Sequence, residues 1–209
     1  MSQPPFLDDI SRRRALRYLS CLLRPYDLLF TQTNYETPVV QVFRFPKTWR
    51  VWAPARKYVA YLTAGMSDRE MPWDGKEHRP RRVELLACAN AVKLTAPEDR
   101  DLVAWALHTL AHTPWRENAC FGPLDTVSWG GPPLIEGSEM TGFLFAISEW
   151  IDGEKLCKAS GSAEMFLQVV PISEAERRFA QEQGSVALVD KFVENKVLPI
   201  FDLERESCL

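Results

Sequence analysis

His108 and His112 stand four residues apart in the run LHTLAHT, the spacing that sets two imidazoles on one helix face where they could share a metal ion. The residues between them, Thr109, Leu110 and Ala111, lack the glutamate of a HExxH site, and His78 is the only other histidine. Ser67 sits in the turn Gly65-Met66-Ser67, where a nucleophile could be displayed, but the sequence places no histidine as its base. Cys120 with His112 would suggest thiol chemistry on similarly thin grounds. No GxSxG elbow, P-loop or GxGxxG after a strand is present. These residues argue against an enzyme: no catalytic residue, no metal and no cofactor are expected.

The element that positions Ser67 is the run YVAYLTAGMS (58–67). Tyr58, Ala60 and Leu62 alternate with Val59, Tyr61 and Thr63, so both faces of an extended segment are apolar or nearly so, which predicts a central strand covered on both sides. Gly65 can adopt a positive φ, and Ser67 and Asp68 can bond their own backbone and start a loop. The strand therefore delivers Asp68 to Trp73 to the rim of the fold, where binding groups concentrate.

Around it the pattern predicts a lead-in helix over about 8–24, with Ala15, Leu16, Leu19, Leu22 and Leu23 inward, closed by Arg24-Pro25. Val39–Phe45 reads as a strand, and Trp49–Pro54 as a short strand or loop. After the loop DREMPWDGKEHRP (68–80) comes a strand at Arg82–Ala89, with Arg82 and Glu84 available to pair with the loop. Thr95, Pro97 and Glu98 form a capping box for a helix that carries Leu102, Val103, Trp105, Ala106 and Leu110 inward and stops before Thr113-Pro114. Short strands are expected at Thr126–Trp129, Thr141–Ile147 and Met165–Val170. Ser173 and Glu176 form a second capping box for a helix ended by Gly184, and Ser185 caps another with Val186, Val189, Phe192 and Val193 on one face. This order predicts an α+β fold: a central mixed or antiparallel sheet covered by helices, in a single domain over 1–209 with its core at about 39–193 and a short C-terminal tail.

The 209 residues, 46% hydrophobic and 11% aromatic, suffice for one sizeable core. No run approaches the roughly 20 apolar residues of a membrane span, and the N-terminus lacks a signal pattern. Cys21, Cys88, Cys120, Cys157 and Cys208 are odd in number and widely spaced, which reads as free thiols in a cytoplasmic protein. The net charge of −3 is uneven: 18 Lys+Arg face 12 Asp+Glu up to Arg116, whereas 7 face 16 from Glu117 onwards. If the second half clusters, it would steer a basic partner towards itself. The arginines 12, 13, 14 and 17 lack interleaved aromatics, so direct nucleic-acid binding is not expected.

Five stretches in succession resemble the Suppressor of fused family: YLTAGMSDREM, RRVELLACA, LHTLAHTPWRENACFGPLDTVSWG, PLIEGSEMTGFLFAI and FLQVVPISEAERRFAQEQGSVALVDKF. The likeness runs from about Val39 to Phe192 and is to the short bacterial branch, without the long C-terminal domain of animal members. The resemblance implies a protein-binding role. Animal members hold a short peptide of a transcription factor as an added strand, and bacterial members are commonly immunity proteins of polymorphic toxin systems. It thus implies that the chain neutralises a toxin domain by binding it, as a monomer or weak homodimer. The alternative is a regulatory module that takes a peptide at a sheet edge. An interface would centre on a few anchors with charges at the rim. The 68–80 loop offers Met71, Trp73 and Asp74 beside Asp68 and Glu70, and Glu136 and Glu139 add charge. The competing possibility is that Trp73 packs into the core and the loop is inert.

Overall fold

The computed structural model describes residues 27–31, 38–49, 58–73, 75, 79–91, 93, 97–147 and 153–209. The expected lead-in helix, Asp74, His78, Thr95 and most of the 49–54 segment lie outside them. Among the described residues seven strands form one sheet: β1 (Asp27–Thr31), β2 (Gln41–Trp49), β3 (Tyr58–Ala64), β4 (Val83–Asn90), β5 (Thr126–Ser128), β6 (Met140–Ile147) and β7 (Met165–Ser173). Their order across the sheet is β1-β2-β3-β4-β7-β6-β5. Every neighbouring pair is antiparallel except β4 and β7, which run parallel. The fold is α+β.

β3 is buried along its whole length, as the apolar alternation requires, and is an interior strand; β4 takes the middle position. Successive side chains point to opposite faces, so Tyr61 and Leu85 enter one core while Leu62 and Leu86 enter another. Helix α1 (Pro97–Arg116) covers the first face through Val103, Ala106, Leu107 and Leu110. The second face is covered by α2 (Gly153–Ser160) through Leu156, and by α3 (Glu174–Gln183) and α4 (Ser185–Glu194) through Ala180, Leu188 and Phe192. Among the described residues no helix is long and apolar enough to cross a membrane.

The sheet order also sorts the chain. β1 to β4 come from the basic first half, and β5 to β7 from the acidic second half, with the β4–β7 pairing as the seam. At the far edge Gly142 is required, because a Cβ there would lie 2.8 Å from the Val127 carbonyl oxygen of β5. The Ser173–Glu176 capping box is formed in both directions, as the sequence predicts.

Four expectations are corrected. Trp105 is 42% exposed rather than inward, because α1 buries the arc through residues 103, 107 and 110 and Trp105 falls opposite it. α1 continues through Pro114 to Arg116: a proline in the last turn removes one ladder bond, while Glu117 N–H to Thr113 O and Ala119 N–H to Pro114 O close the end. α4 docks through Leu188 and Phe192, leaving Val186 61% and Val193 72% exposed. Ser185 is the first residue of α4, and Gly184 holds the cap position without a side-chain bond. Helix α2 was not expected at all: Leu156 is its one buried apolar side chain, too little to set a periodicity.

Candidate partner-binding site

The loop after β3 is built on a buried carboxylate. Glu84 in β4 is 1% exposed. Its Oε1 accepts the Gly65 N–H at 2.9 Å, the Ser67 N–H at 3.1 Å and the Ser67 hydroxyl at 2.7 Å, and its Oε2 accepts the Thr63 hydroxyl at 2.7 Å. Burial pushes the Glu84 pKa up from its ordinary value, and the bonds from Thr63, Ser67 and Gly65 offset that only in part. Gly65 has φ 110°, a left-handed conformation in which glycine meets no steric cost. A single 3-10 turn (Met66–Asp68) follows.

Two arginines hold the outer part. Arg82 Nη1 donates to the Ser67 and Asp68 carbonyls at 2.9 and 3.2 Å, and Nη2 reaches Glu70 at 3.4 Å. Arg81 pairs with Glu70 at 2.9 Å and lies 5.5 Å from the Trp73 ring centre, a cation–π contact. The Arg81 N–H donates to Glu164 at 2.8 Å, and the Met71 N–H to the Arg81 carbonyl at 2.8 Å. From α1, the Trp115 indole donates to the Glu70 carbonyl at 3.0 Å, and Arg69 lies 5.8 Å from the Trp115 ring centre.

The candidate anchors divide accordingly. Trp73 is 54% exposed on a fixed support, so it does not tuck into the core. Met71 is 1% exposed and belongs to the α1-side core, so it supports the loop from below. Asp68 and Glu70 are exposed, and the arginines beside them keep the loop from being an acidic patch.

Glu136 and Glu139 lie elsewhere. Glu164, just before β7, accepts from Arg81 at the loop end, whereas Met140, next to Glu139, pairs with Ser173 at the other end of β7. Eight residue steps of strand separate them, about 26 Å. There, Glu136, Glu139, Glu204 and Glu206 line an open hollow of 390 Å³. Glu139 accepts the Ser207 N–H at 3.1 Å. Lys93 pairs with Asp202 at 2.9 Å and Glu204 at 3.1 Å. Arg205 is committed to the buried Glu176, at 2.7 and 2.5 Å, and to the Pro171 carbonyl at 2.8 Å. Sequence reasoning missed Glu204 and Glu206; the ERE run at 204–206 was the available signal.

The enzymatic candidates are placed as follows. The Ser67 hydroxyl is enclosed, bonded to Glu84 and 2.8 Å from the Ser162 hydroxyl. Cys120 Sγ faces the Pro80 carbonyl at 3.8 Å. His112 has its ring nitrogens against the His108 and Pro38 carbonyls at 2.9 and 3.1 Å. Among the described residues no three His, Cys, Asp or Glu side chains converge as metal ligands.

The sequence model described as Suppressor of fused protein (SUFU) matches residues 36–206. The chain belongs to the Suppressor of fused family. Solved structures share the fold: a putative Suppressor of fused homolog from Neisseria gonorrhoeae is 19% identical with a TM-score of 0.61, covering 96% of this chain and 97% of that one. The Sufu–Fu complex is 14% identical with a TM-score of 0.60, covering 99% and 93%. Suppressor of Fused from Drosophila is 12% identical with a TM-score of 0.53, covering 81% of this chain and 42% of that one. At these identities the likeness is one of fold. Among curated proteins, Immunity protein YqcF of Bacillus subtilis (strain 168) is 26% identical over 155 residues, 74% of this chain and 76% of the relative. Membership of the Suppressor of fused family and this relative support a role in protein interaction.

Proposed function

We propose that this chain is a non-enzymatic, cytoplasmic binding protein that neutralises a cognate toxin domain by direct contact. The observation that carries the reading is the match, across 74% of this chain, to a relative named an immunity protein. The fixed, half-exposed Trp73 agrees with it, since interface energy concentrates in rigid aromatic anchors ringed by polar groups. We assign the contact surface to Trp73 with Asp68 and Glu70 of the same loop, and add Asp74, the next residue in the chain. Glu136 and Glu139 form a separate acidic group that would speed the approach of a basic toxin. Met71 acts from beneath. The protein works without metal, nucleic acid or membrane, as a monomer or weak homodimer.

The test is affinity purification of the tagged full chain from its own host, a salt wash, mass spectrometry, and co-expression of the recovered partner. A stoichiometric partner that arrests growth alone and not together with this chain supports the reading. Recovery of the chain alone, or of a harmless partner, overturns it.

A second reading has its own observation. Among the described residues β1 and β5 each have a single strand neighbour, so both sheet edges could accept an extended peptide by strand addition. In that case a short synthetic segment of the partner should bind as well as the whole partner does.

A further inference from the structure

The outer face of α1 carries an aromatic shelf outside the Trp73 loop. Trp105 is 42% exposed and meets Trp129 edge-on, with ring centres 5.2 Å apart at 69°. Trp129 in turn stands 5.7 Å from Phe143, a core residue of β6, and its N–H is tied to the Thr141 carbonyl at 2.8 Å. The shelf is thus anchored to the sheet and open on its outer side.

Carboxylates border it. Glu98 and Asp101, both exposed, precede Trp105 by two turns and about one turn on the same solvent face. On the other side, Ile135 lines a hollow together with Leu102 of α1, which brings the exposed Glu136 to the rim. Among the described residues none of these three carboxylates has an ion-pair partner. Arg100 follows Glu98 by two positions and precedes Asp101 by one, spacings that do not share a helix face; of the basic groups with described side chains, Lys93 is held by Asp202 and Glu204, and Arg116 lies eleven residues beyond Trp105 along α1, about 17 Å away.

We propose that this shelf receives arginine side chains of a positively charged protein partner. An exposed indole attracts a cation to its ring face, and a planar guanidinium can stack there while its N–H fork reaches a carboxylate. Glu98 and Asp101 on the Trp105 face of α1, with Glu136 next to the hollow that Leu102 lines, and the two tryptophans supply both halves of that recognition. Lysine fits less well, since its ammonium cannot stack. The shelf and the Trp73 loop lie along the same helix, Trp115 being ten residues from Trp105, about 15 Å. One partner of ordinary interface size could cover both. The inference rests on the protein-binding reading above and names the chemistry of the surface recognised.

The test uses the full chain with labelled indole nitrogens and two probes, a hepta-arginine peptide and a hepta-lysine peptide, followed by NMR at low salt. The Trp105 and Trp129 indole signals should shift saturably, more tightly with arginine. The triple variant E98Q/D101N/E136Q, which leaves the core intact, should bind the arginine peptide about 5-fold more weakly, as should Trp105→Ala. Unmoved indole signals, or equal affinity in the triple variant, overturn the proposal. The partner recovered by the wild-type chain separates the two claims. If it binds both variants as well as wild type, the shelf is wrong and the binding reading stands; if wild type retains no partner, the binding reading itself fails.

Discussion

The Glu84 carboxylate accepts the Ser67 hydroxyl at 2.7 Å and the Ser67 N–H at 3.1 Å, so a residue in the middle strand of the sheet sets the geometry of the loop that displays Trp73. Removing the acceptor takes away four hydrogen bonds at once and strands the Gly65 and Ser67 N–H groups. Glu84→Ala should cost roughly 3 kcal/mol in urea unfolding, and Glu84→Gln less, since one amide oxygen still accepts.

The same residue gives a pH signature. Its folded-state pKa is raised above the ordinary 4.5, so the unfolded chain loses the proton more readily. Its stabilisation is full below pH 4.5 and is lost as pH rises through the raised folded value. The stability difference between wild type and Glu84→Gln should therefore shrink as pH increases across that window, read from urea midpoints at a series of pH values. A difference that grows with pH would refute the assignment.

Glu176 and Arg205 should behave in the opposite sense. Burial alone would push the Glu176 carboxyl up, but the Arg205 guanidinium, with the Cys208 and Ser173 N–H groups, holds it below its usual range. Stability from this pair is present above pH 4.5 and is lost as pH falls below it. Arg205→Ala leaves a buried carboxylate uncompensated and should cost about 3 kcal/mol at neutral pH. Limited proteolysis should then cut within residues 198–209, which the pair fastens to the sheet.

Met71 and Trp73 should separate stability from binding. Met71→Ala opens a core cavity and should lower stability by about 3 kcal/mol. Trp73→Ala should change stability by less than about 1 kcal/mol but weaken a purified partner by about 2 kcal/mol or more. Calorimetric titration alongside thermal unfolding reads both; a Trp73→Ala protein with full affinity removes the loop from the interface.

Gly142→Ala should push β5 away from β6, because the new methyl carbon would sit 2.8 Å from the Val127 oxygen. A loss of about 2 kcal/mol is expected, with hydrogen exchange rising first at the Val127 and Trp129 amides.

Much of this was legible in the sequence where pattern and chemistry coincide. The double-faced alternation of Tyr58–Ala64 and the Ser173–Glu176 capping box are decided within a few residues of chain, and Arg82 and Glu84, 15 and 17 residues from Ser67, are charges that the loop between the two strands could use. The rest depended on the sheet order. Nothing local says that Met165 starts beside Val83, and that pairing is what sends Glu136 and Glu139 to the opposite end from Trp73. The faces of Trp105 and Val186 were misjudged for a related reason: apolar periodicity marks a stripe, but the docking angle of the helix decides which part of it meets the sheet.

The parallel seam has a consequence for biosynthesis. β4 ends at Asn90 and its neighbour β7 begins only at Met165, about 75 residues later. At ribosomal speeds of roughly 5–20 residues per second, the first-half meander emerges with β4 as a bare edge for several seconds. Its hydrogen-bonding groups then have no partner within the chain, which makes that interval the one in which the nascent protein is most open to chaperones or to another copy of itself.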